Sequence, residues 1–457
     1  MAFYILFISG AVALNSVLPA SAQIQRGFHE IFHFDLGEYW CENHLAVADF
    51  DRDGWNDIAL IVTGLRVTNG PPWDYKCRAI LLHNEGDGTF TDSIIADYPD
   101  SHYGYFVAAS DLNRDGAPDL VLRESVASHV LLNDGSGRAF NKVFEFKPGH
   151  YGLVCMDMND DGFPDLVSGT QTGHGGLIEL FINGGAGTNF VKTWQSRIYG
   201  SSYDSISTVL SVNLNGDDRP DIAAREIYSG QLITLLGSDS SNTFVQASVT
   251  WLGDRTFALA GGNINRDSLT DLATYVGWGR VRVFASRGNG LVTQHWQSPE
   301  LGQAAFCLAL ADLDRDGFDD IFVGTFADGV LRTYRNRAGI DFELAWQGAL
   351  PGDGYTGTVA DLNGDDCPDL IAGEKNAIRV FLNRAGIPRI RNVSVTDGVP
   401  VLTWTACKGK TYRVQAKARF EEHWSDLDGD VLATGFTAGK PDDEVRAARF
   451  YRVTELP

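Results

Sequence analysis

One nine-residue acidic pattern recurs seven times along the chain, and no other feature narrows the fold as sharply. The copies are DFDRDGWND (49–57), DLNRDGAPD (111–119), DMNDDGFPD (157–165), NLNGDDRPD (213–221), NINRDSLTD (263–271), DLDRDGFDD (312–320) and DLNGDDCPD (361–369), and they start 62, 46, 56, 50, 49 and 49 residues apart. A short apolar run precedes each copy (HLAVA, YFVAA, CLALA) and another follows it (DIALIV, DLVLR, DIFVG). A third run ends in an Asn/Gly turn, as in AILLHNEGDGTF and HVLLNDGSGRAF. Asn and Gly supply the positive φ angles that tight hairpins require, and a fourth strand follows the turn. Four short strands per ~50 residues, repeated in phase, describe the blades of a propeller. The expected fold is all-β: a seven-bladed β-propeller with an acidic loop between the first and second strands of each blade, followed by a small β-sandwich.

After the seventh copy the chain gives LIAGE and AIRVFLNRAG, then turns to IPRI without an evident fourth strand. Near the start, GFHEIFHFDLG (27–37) has the look of a fourth strand with no blade of its own. The propeller is therefore placed at residues 27–386, its N-terminal strand completing the last blade and removing the unpaired edges of an open sheet. A loose N-terminal arm is the alternative. Residues 388–457 carry a different alternation, in PVLTWTAC, TYRVQAKAR, DVLATGF and RFYRVTEL, enough for a small two-sheet sandwich. Residues 1–22, with an apolar run from Phe3 to Leu14 and Ala20-Ser21-Ala22 at the end, read as a secretory signal peptide. No Lys or Arg precedes that run, so a misassigned start or a buried first strand is the competing reading. No other run approaches the ~18–20 apolar residues of a membrane span. The expectation is an exported monomer, extracellular or periplasmic. A net charge of −22 argues against nucleic acid, which needs clustered Lys and Arg.

Carboxylates at alternate positions 1, 3 and 5 of the pattern, with another at position 9, can converge on one ion. The donors are Asp49, Asp51, Asp53, Asp57; Asp111, Asn113, Asp115, Asp119; Asp157, Asn159, Asp161, Asp165; Asn213, Asn215, Asp217, Asp221; Asn263, Asn265, Asp267, Asp271; Asp312, Asp314, Asp316, Asp320; and Asp361, Asn363, Asp365, Asp369. The chain must turn sharply near position 6, where Gly54, Gly116, Gly162 and Gly317 stand, with Ser268 in loop five and Asp366 in loop seven. A hard cation with many oxygen ligands suits this set, and Ca²⁺ takes ~6–8; zinc would ask for His or Cys within the pattern. The helix–loop–helix calcium site needs Glu at position 12, whereas these loops have Leu60, Leu122, Ser168, Ala224, Thr274, Val323 and Ala372 there. Up to seven Ca²⁺ ions of structural purpose are expected, binding best in loops one and six, which carry four carboxylates each, and least in loops four and five, which carry two.

The seven loops and turns such as LLHNEGDGTF resemble the FG-GAP/VCBS repeats, although the Phe-Gly of that name is mostly absent and Tyr151-Gly152 is the nearest match. The resemblance implies an integrin-α-like seven-bladed propeller with calcium in these loops. TYRVQAKARFEEHWSDL and ARFYRV resemble the fibronectin-III-like modules of secreted bacterial proteins. The connections on the face opposite the loops are rich in aromatics and His: Tyr39, Trp40, His44, His102, Tyr103, Tyr105, His150, Tyr151, Tyr199, Tyr203, Trp251 and Tyr355. Two readings stand for them: packing that caps the funnel, or rings that recognise an extracellular glycan or protein. A third reading is a lyase-like enzyme acting on polysaccharide, with the pairs His102/Tyr103 and His150/Tyr151 as base and acid. Among six cysteines, Cys41 and Cys77 are expected to form a disulfide on that face, Cys155 and Cys307 to be buried and reduced, and Cys367 and Cys407 to be unpaired.

Overall fold

In the computed structural model, which describes residues 27–66, 74–99, 101, 103–146, 152–201, 204–238, 243–277, 279–302, 304–383, 388, 390–396, 399–406, 410–418, 423–442 and 450–456, the apolar runs beside each acidic loop are strands. The run after the loop is buried at every position in Asp119–Glu124, Asp221–Glu226, Asp271–Val276, Asp320–Thr325 and Asp369–Glu374. A strand covered on both faces has no polar side to write into its sequence, so it reads as a continuous apolar stretch. The fourth strands, such as Phe90–Tyr98 and Phe342–Ala349, are made mostly of half-buried and exposed positions because they form the outer edge.

Seven four-stranded antiparallel sheets result. Sheet one is Tyr39–Ala48, Asp57–Arg66, Asp74–Asn84 and Phe90–Tyr98 in that order. The first strands of sheets two to seven are Gly104–Ser110, Gly152–Met156, Ile206–Val212, Thr256–Gly262, Ala305–Ala311 and Gly354–Ala360. Sheet seven takes its fourth strand from the other end of the chain: Phe28–Asp35 pairs with Ala377–Asn383, from Phe28↔Asn383 to Asp35↔Ala377. Each first strand packs on the first strand of the next sheet, and Gly354–Ala360 packs on Tyr39–Ala48. The cores lie between consecutive sheets; Leu60, Val62 and Leu82 of sheet one meet Leu362, Ile371 and Val380 of sheet seven. Repeated four-stranded sheets stacked in this way, with no helix among the described residues, are the architecture of a β-propeller. Every sheet carries a register shift between its third and fourth strands. Such a bulge increases local twist and blunts an exposed edge.

Beyond residue 388 two small sheets share one core. Ile390–Thr396, Val399–Thr405 and Thr437–Pro441 form the first; Thr411–Lys417, with Phe450–Glu455 and two short strands, forms the second. Trp404, Tyr412, Phe436 and Tyr451 fill that core, and Ile31, Trp55 and Leu382 of the propeller join it. The Trp55 and Phe436 rings lie 5.9 Å apart, and the Phe436 N–H donates to the Gly86 carbonyl at 3.3 Å. The C-terminal unit therefore rests beside loop one.

The expected Cys41–Cys77 bond does not fit the sheet. Cys41 pairs with Val62 and Cys77 with Thr63, so the strand Asp57–Arg66 runs between them. Two strand spacings are ~10 Å, beyond the ~4.4–6.8 Å that a disulfide spans between Cα atoms. The Cys77 sulfur instead lies 3.5 Å from the Ser101 hydroxyl and 3.7 Å from its carbonyl. Cys155, Cys307 and Cys367 are free thiols, Cys155 only half-buried; Cys407 lies outside the described residues.

Candidate metal centre

Each acidic loop leaves the end of a first strand, and its position 9 opens the second strand. The backbone enters the left-handed region twice in most copies. Position 6 does so at Gly54, Gly116, Gly162, Gly317 and Asp366 (φ 60°), but not at Asp218 or Ser268. Position 4 does so in all seven copies, including Arg52, Arg114, Asp160, Arg266 and Arg315 at φ between 57° and 62°. Sequence reasoning missed this second turn, although Gly216 and Gly364 at position 4 were a signal for it.

The turns aim backbone N–H groups inward. In loop one the Asp49 carboxylate accepts from Asp53 N–H (3.0 Å) and Gly54 N–H (2.9 Å), and Asp53 accepts from Trp55 N–H (2.8 Å). Loops two, three, six and seven repeat the position 1 contacts. Loops four and five wrap differently: Asn213 accepts from Gly216 N–H (2.8 Å), and Asn263 from Arg266 N–H (2.7 Å). Position 9 acts as a staple. Asp57 accepts from Phe50 N–H (3.0 Å) and Asn84 N–H (2.8 Å), and Asp119 from Leu112 N–H (2.9 Å) and Asn133 N–H (2.8 Å). The same double contact is made by Asp165, Asp221, Asp271, Asp320 and Asp369.

Positions 1, 3 and 5 converge. Carboxylate oxygens of Asp49, Asp51 and Asp53, and of Asp312, Asp314 and Asp316, lie within 4.8 Å of one another. Burial, with neighbouring carboxylates adding to it, pushes Asp57 up to about 7, Asp320 up to about 8 and Asp365 up to about 7. Crowded, desolvated carboxyls of this kind are short of positive charge, and an all-oxygen donor set suits a hard divalent cation. The residues fit the ion that the repeats imply.

Two side chains that the sequence did not single out also reach these loops, both from the position just before the last residue of a third strand. Arg335 sets its guanidinium on Asp314 (2.5 Å) and Asp316 (3.0 Å) in loop six. His83, 1% exposed, turns Nδ1 towards Asp51 at 3.8 Å in loop one, and burial holds its imidazole below the usual range. The loops are also tied to one another. Asn133, Asn183, Asn336 and Asn383 each donate to a position 2 carbonyl in the preceding loop, at 2.7–2.9 Å. Asn84 does the same to Leu362 of loop seven at 2.8 Å, joining the first repeat to the last.

Compared with known proteins, the chain matches the FG-GAP-like repeat over residues 49–122, 157–224, 263–323 and 312–372, more than half its length. It belongs to the FG-GAP-like repeat family. Among curated proteins it is 24% identical to human integrin alpha-6 over 62% of the chain and 22% of that protein. It is 24% identical to mouse integrin alpha-8 over 54% of the chain and 22% of that protein. The chain thus spans about a fifth of the length of these relatives. A solved structure titled as BBS1N in complex with ARL6DN, soaked with lead, superposes with a TM-score of 0.53 at 12% identity, covering 78% of this chain and 97% of that one. Saccharomyces cerevisiae Sqt1 gives 0.50 at 8% identity, covering 77% and 97%. These two likenesses concern the fold alone.

On the face of the FG-GAP repeats opposite the loops, four of the described aromatics form a continuous run, while Tyr199 bonds Gln246, Tyr355 packs on Phe326 and Trp251 stands exposed. Trp40 and Tyr75 ring centroids lie 6.1 Å apart, Tyr75 and Tyr103 5.1 Å, and Tyr103 and Tyr105 6.1 Å, with the Arg123 guanidinium 5.2 Å from the Tyr105 ring. Tyr103 is thus part of a stack. His102, His150 and Tyr151, and with them the two His/Tyr pairs, lie outside the described residues.

Proposed function

We propose that this protein is a calcium-stabilised, exported, seven-bladed propeller that binds an extracellular glycan or protein on the face opposite its acidic loops, with the small β-sandwich as an appended module. The observation that carries the binding reading is the run Trp40–Tyr75–Tyr103–Tyr105. Trp40, Tyr75 and Tyr105 sit near the starts of strands, and Tyr103 just ahead of one, at the ends far from the loops; all four are half-buried, so each ring keeps surface towards solvent. Half-exposed Tyr and Trp rings give flat apolar area with a polar edge, which suits stacking on a sugar ring or a peptide. Two open clefts of 430 and 500 Å³ lie elsewhere, beside loops four and five and on the C-terminal unit, and the ligand is expected on the surface that the four rings form.

Calcium has a supporting role in this reading. Positions 1, 3 and 5 of each loop would hold the ion, and position 9 would anchor the second strand beside it. The ion supplies positive charge that relieves repulsion between carboxylates and stabilises the folded loop by mass action. Loop one carries four carboxylates but shares Asp51 with the buried His83, which sets its cation preference apart from that of the other loops. Loop six should fall below its four-carboxylate promise because Arg335 already neutralises part of it. Loops four and five, with Asn213 and Asn263 turned to backbone contacts, should bind least.

The test is a glycan array and an extracellular-protein panel, probed with the wild type and with Tyr75→Ala and Tyr103→Ala. Binding should weaken at least about tenfold in both variants, the loss of one aromatic contact of ~1–3 kcal/mol, while thermal midpoints stay close to wild type. Binding that survives both substitutions, or no binding to either panel, overturns the reading.

A further inference from the structure

In sheets one and six the side chain just before the last residue of the third strand reaches the acidic loop of its own sheet. Sheets two, three, four, five and seven place Leu132, Ile182, Leu236, Ala285 and Leu382 there. Sheet six places Arg335, which lies on two loop carboxylates. Sheet one places His83, an imidazole.

His83 is 1% exposed, and its surroundings satisfy one ring nitrogen only. Nε2 lies 2.9 Å from the Ser93 hydroxyl. Nδ1 is buried with no hydrogen-bond partner. It faces Asp51 Oδ2 at 3.8 Å, too far for a hydrogen bond. That distance is about the separation of two ligands each ~2.0–2.2 Å from one ion. A carboxylate oxygen of Asp57 completes the group, all three ligand atoms lying within 4.8 Å of one another. In the tautomer that donates from Nε2 to Ser93, Nδ1 presents a lone pair to two carboxylates. Nδ1 then faces two carboxyl groups without a hydrogen bond to either, and a buried polar nitrogen left in that state is costly. A bound cation resolves it.

We propose that Asp51, Asp57 and His83 form a mixed nitrogen–oxygen site for one divalent first-row ion of the zinc class, distinct in chemistry from the all-oxygen calcium loops. Imidazole favours zinc-class ions, whereas carboxylate and carbonyl oxygens alone suit calcium. Ser93 is the positioning residue: it fixes the ring orientation through Nε2, as outer-sphere partners of metal-bound histidines do. Ca²⁺ in the other six loops is not required for this site.

The experiment titrates Zn²⁺ into the full chain by calorimetry in the presence of about 5 mM Ca²⁺, enough to occupy oxygen sites of extracellular affinity. Wild type should take up one equivalent of Zn²⁺ that Ca²⁺ does not displace. His83→Leu, which installs the residue that sheets two, four and seven carry at this position, should weaken that binding at least about tenfold. Asp51→Asn, matching the Asn found at position 3 of most other loops, should weaken it as well and guards against a folding defect specific to His83→Leu. Co²⁺ in place of Zn²⁺ gives a visible absorption spectrum whose loss in His83→Leu reports the nitrogen ligand directly. Zn²⁺ binding that Ca²⁺ competes away, or that is within about twofold of wild type in His83→Leu, overturns the proposal and assigns the uptake to other histidines. A calcium-dependent rise in melting temperature is read in parallel. Its absence in wild type would sink the calcium reading and leave the Zn²⁺ result standing.

Discussion

Replacing Asn84 by Ala tests whether the ring is held by the contact between its first and last repeats. The Asn84 side chain is 1% exposed and donates to Leu362 O at 2.8 Å and Asn56 O at 3.1 Å, while accepting from Gly86 N–H at 3.1 Å. Its backbone N–H, bonded to Asp57, is untouched by the substitution. Three hydrogen bonds at a net ~0.5–1.5 kcal/mol each give a loss of about 3 kcal/mol, with water able to rescue the Gly86 amide at the turn. Asn84→Asp should cost more than Asn84→Ala. The carboxylate keeps the Gly86 contact but turns negative charge on two carbonyl oxygens and on Asp57, and a buried unpaired charge is worse than a missing group. Equilibrium urea unfolding followed by circular dichroism, at fixed Ca²⁺, gives both values. Asn133→Ala is the matched control, since Asn133 makes the same kind of contact to Phe50 at 2.8 Å without crossing the closure. A cost below about 0.5 kcal/mol for Asn84→Ala, or an Asp variant milder than the Ala variant, would refute the reasoning.

In EDTA the protein should lose stability as pH rises. Asp57, Asp320 and Asp365 sit at about 7, 8 and 7 in the ion-free loops against an ordinary value of 3.8, because of burial first and neighbouring carboxylates second. The folded state then binds more protons than the unfolded one across that interval, so unfolding free energy falls from about pH 4 to about pH 8; the midpoint should drop by at least about 5 °C between pH 5 and 8, and Ca²⁺ should remove most of the drop. A profile that is flat or rising in EDTA would count against it. Trp55→Ala should loosen the C-terminal unit, because the ring bridges loop one to Phe436. A loss of about 1–2 kcal/mol at that contact corresponds to roughly tenfold faster proteolytic separation of the two parts; an unchanged digestion rate would place the docking elsewhere.

Strands and acidic loops were legible because their signals lie within one repeat at near-constant spacing: an apolar run, nine residues, another apolar run. The features that escaped join elements whose separation along the chain varies. The residue whose backbone amide meets position 9 of its own sheet is 27, 14, 18, 16 and 14 residues away in sheets one, two, three, six and seven. Its side chain then reaches back to a different repeat, so no fixed pattern announces it. The same holds for His83 and Arg335, which look like ordinary polar residues of a third strand until the sheet turns them onto a loop. The Cys41–Cys77 pairing failed for a related reason: both residues lie at the same end of one sheet, yet a strand separates them, and proximity of ends says nothing about adjacency of strands.

Sheets four and five have Gly237 and Ser286 where the others have the bridging Asn, and their loops open with Asn213 and Asn263 rather than Asp. A second kind of contact, from position 8 of one loop to position 1 of the loop before it, ties loop five to loop four and loop six to loop five. Thr270 bonds Asn213 through its own amide (2.6 Å) and its hydroxyl (3.0 Å), and Asp319 accepts from the Asn263 amide at 2.6 Å. Position 8 is Pro in loops two, three, four and seven, which have no amide hydrogen to offer. The repeats thus use two ways of tying one loop to the next, both together between loops five and six, and the loops poorest in carboxylates are the ones that Thr270 and Asp319 hold from the following loop. Those two loops should depend least on calcium.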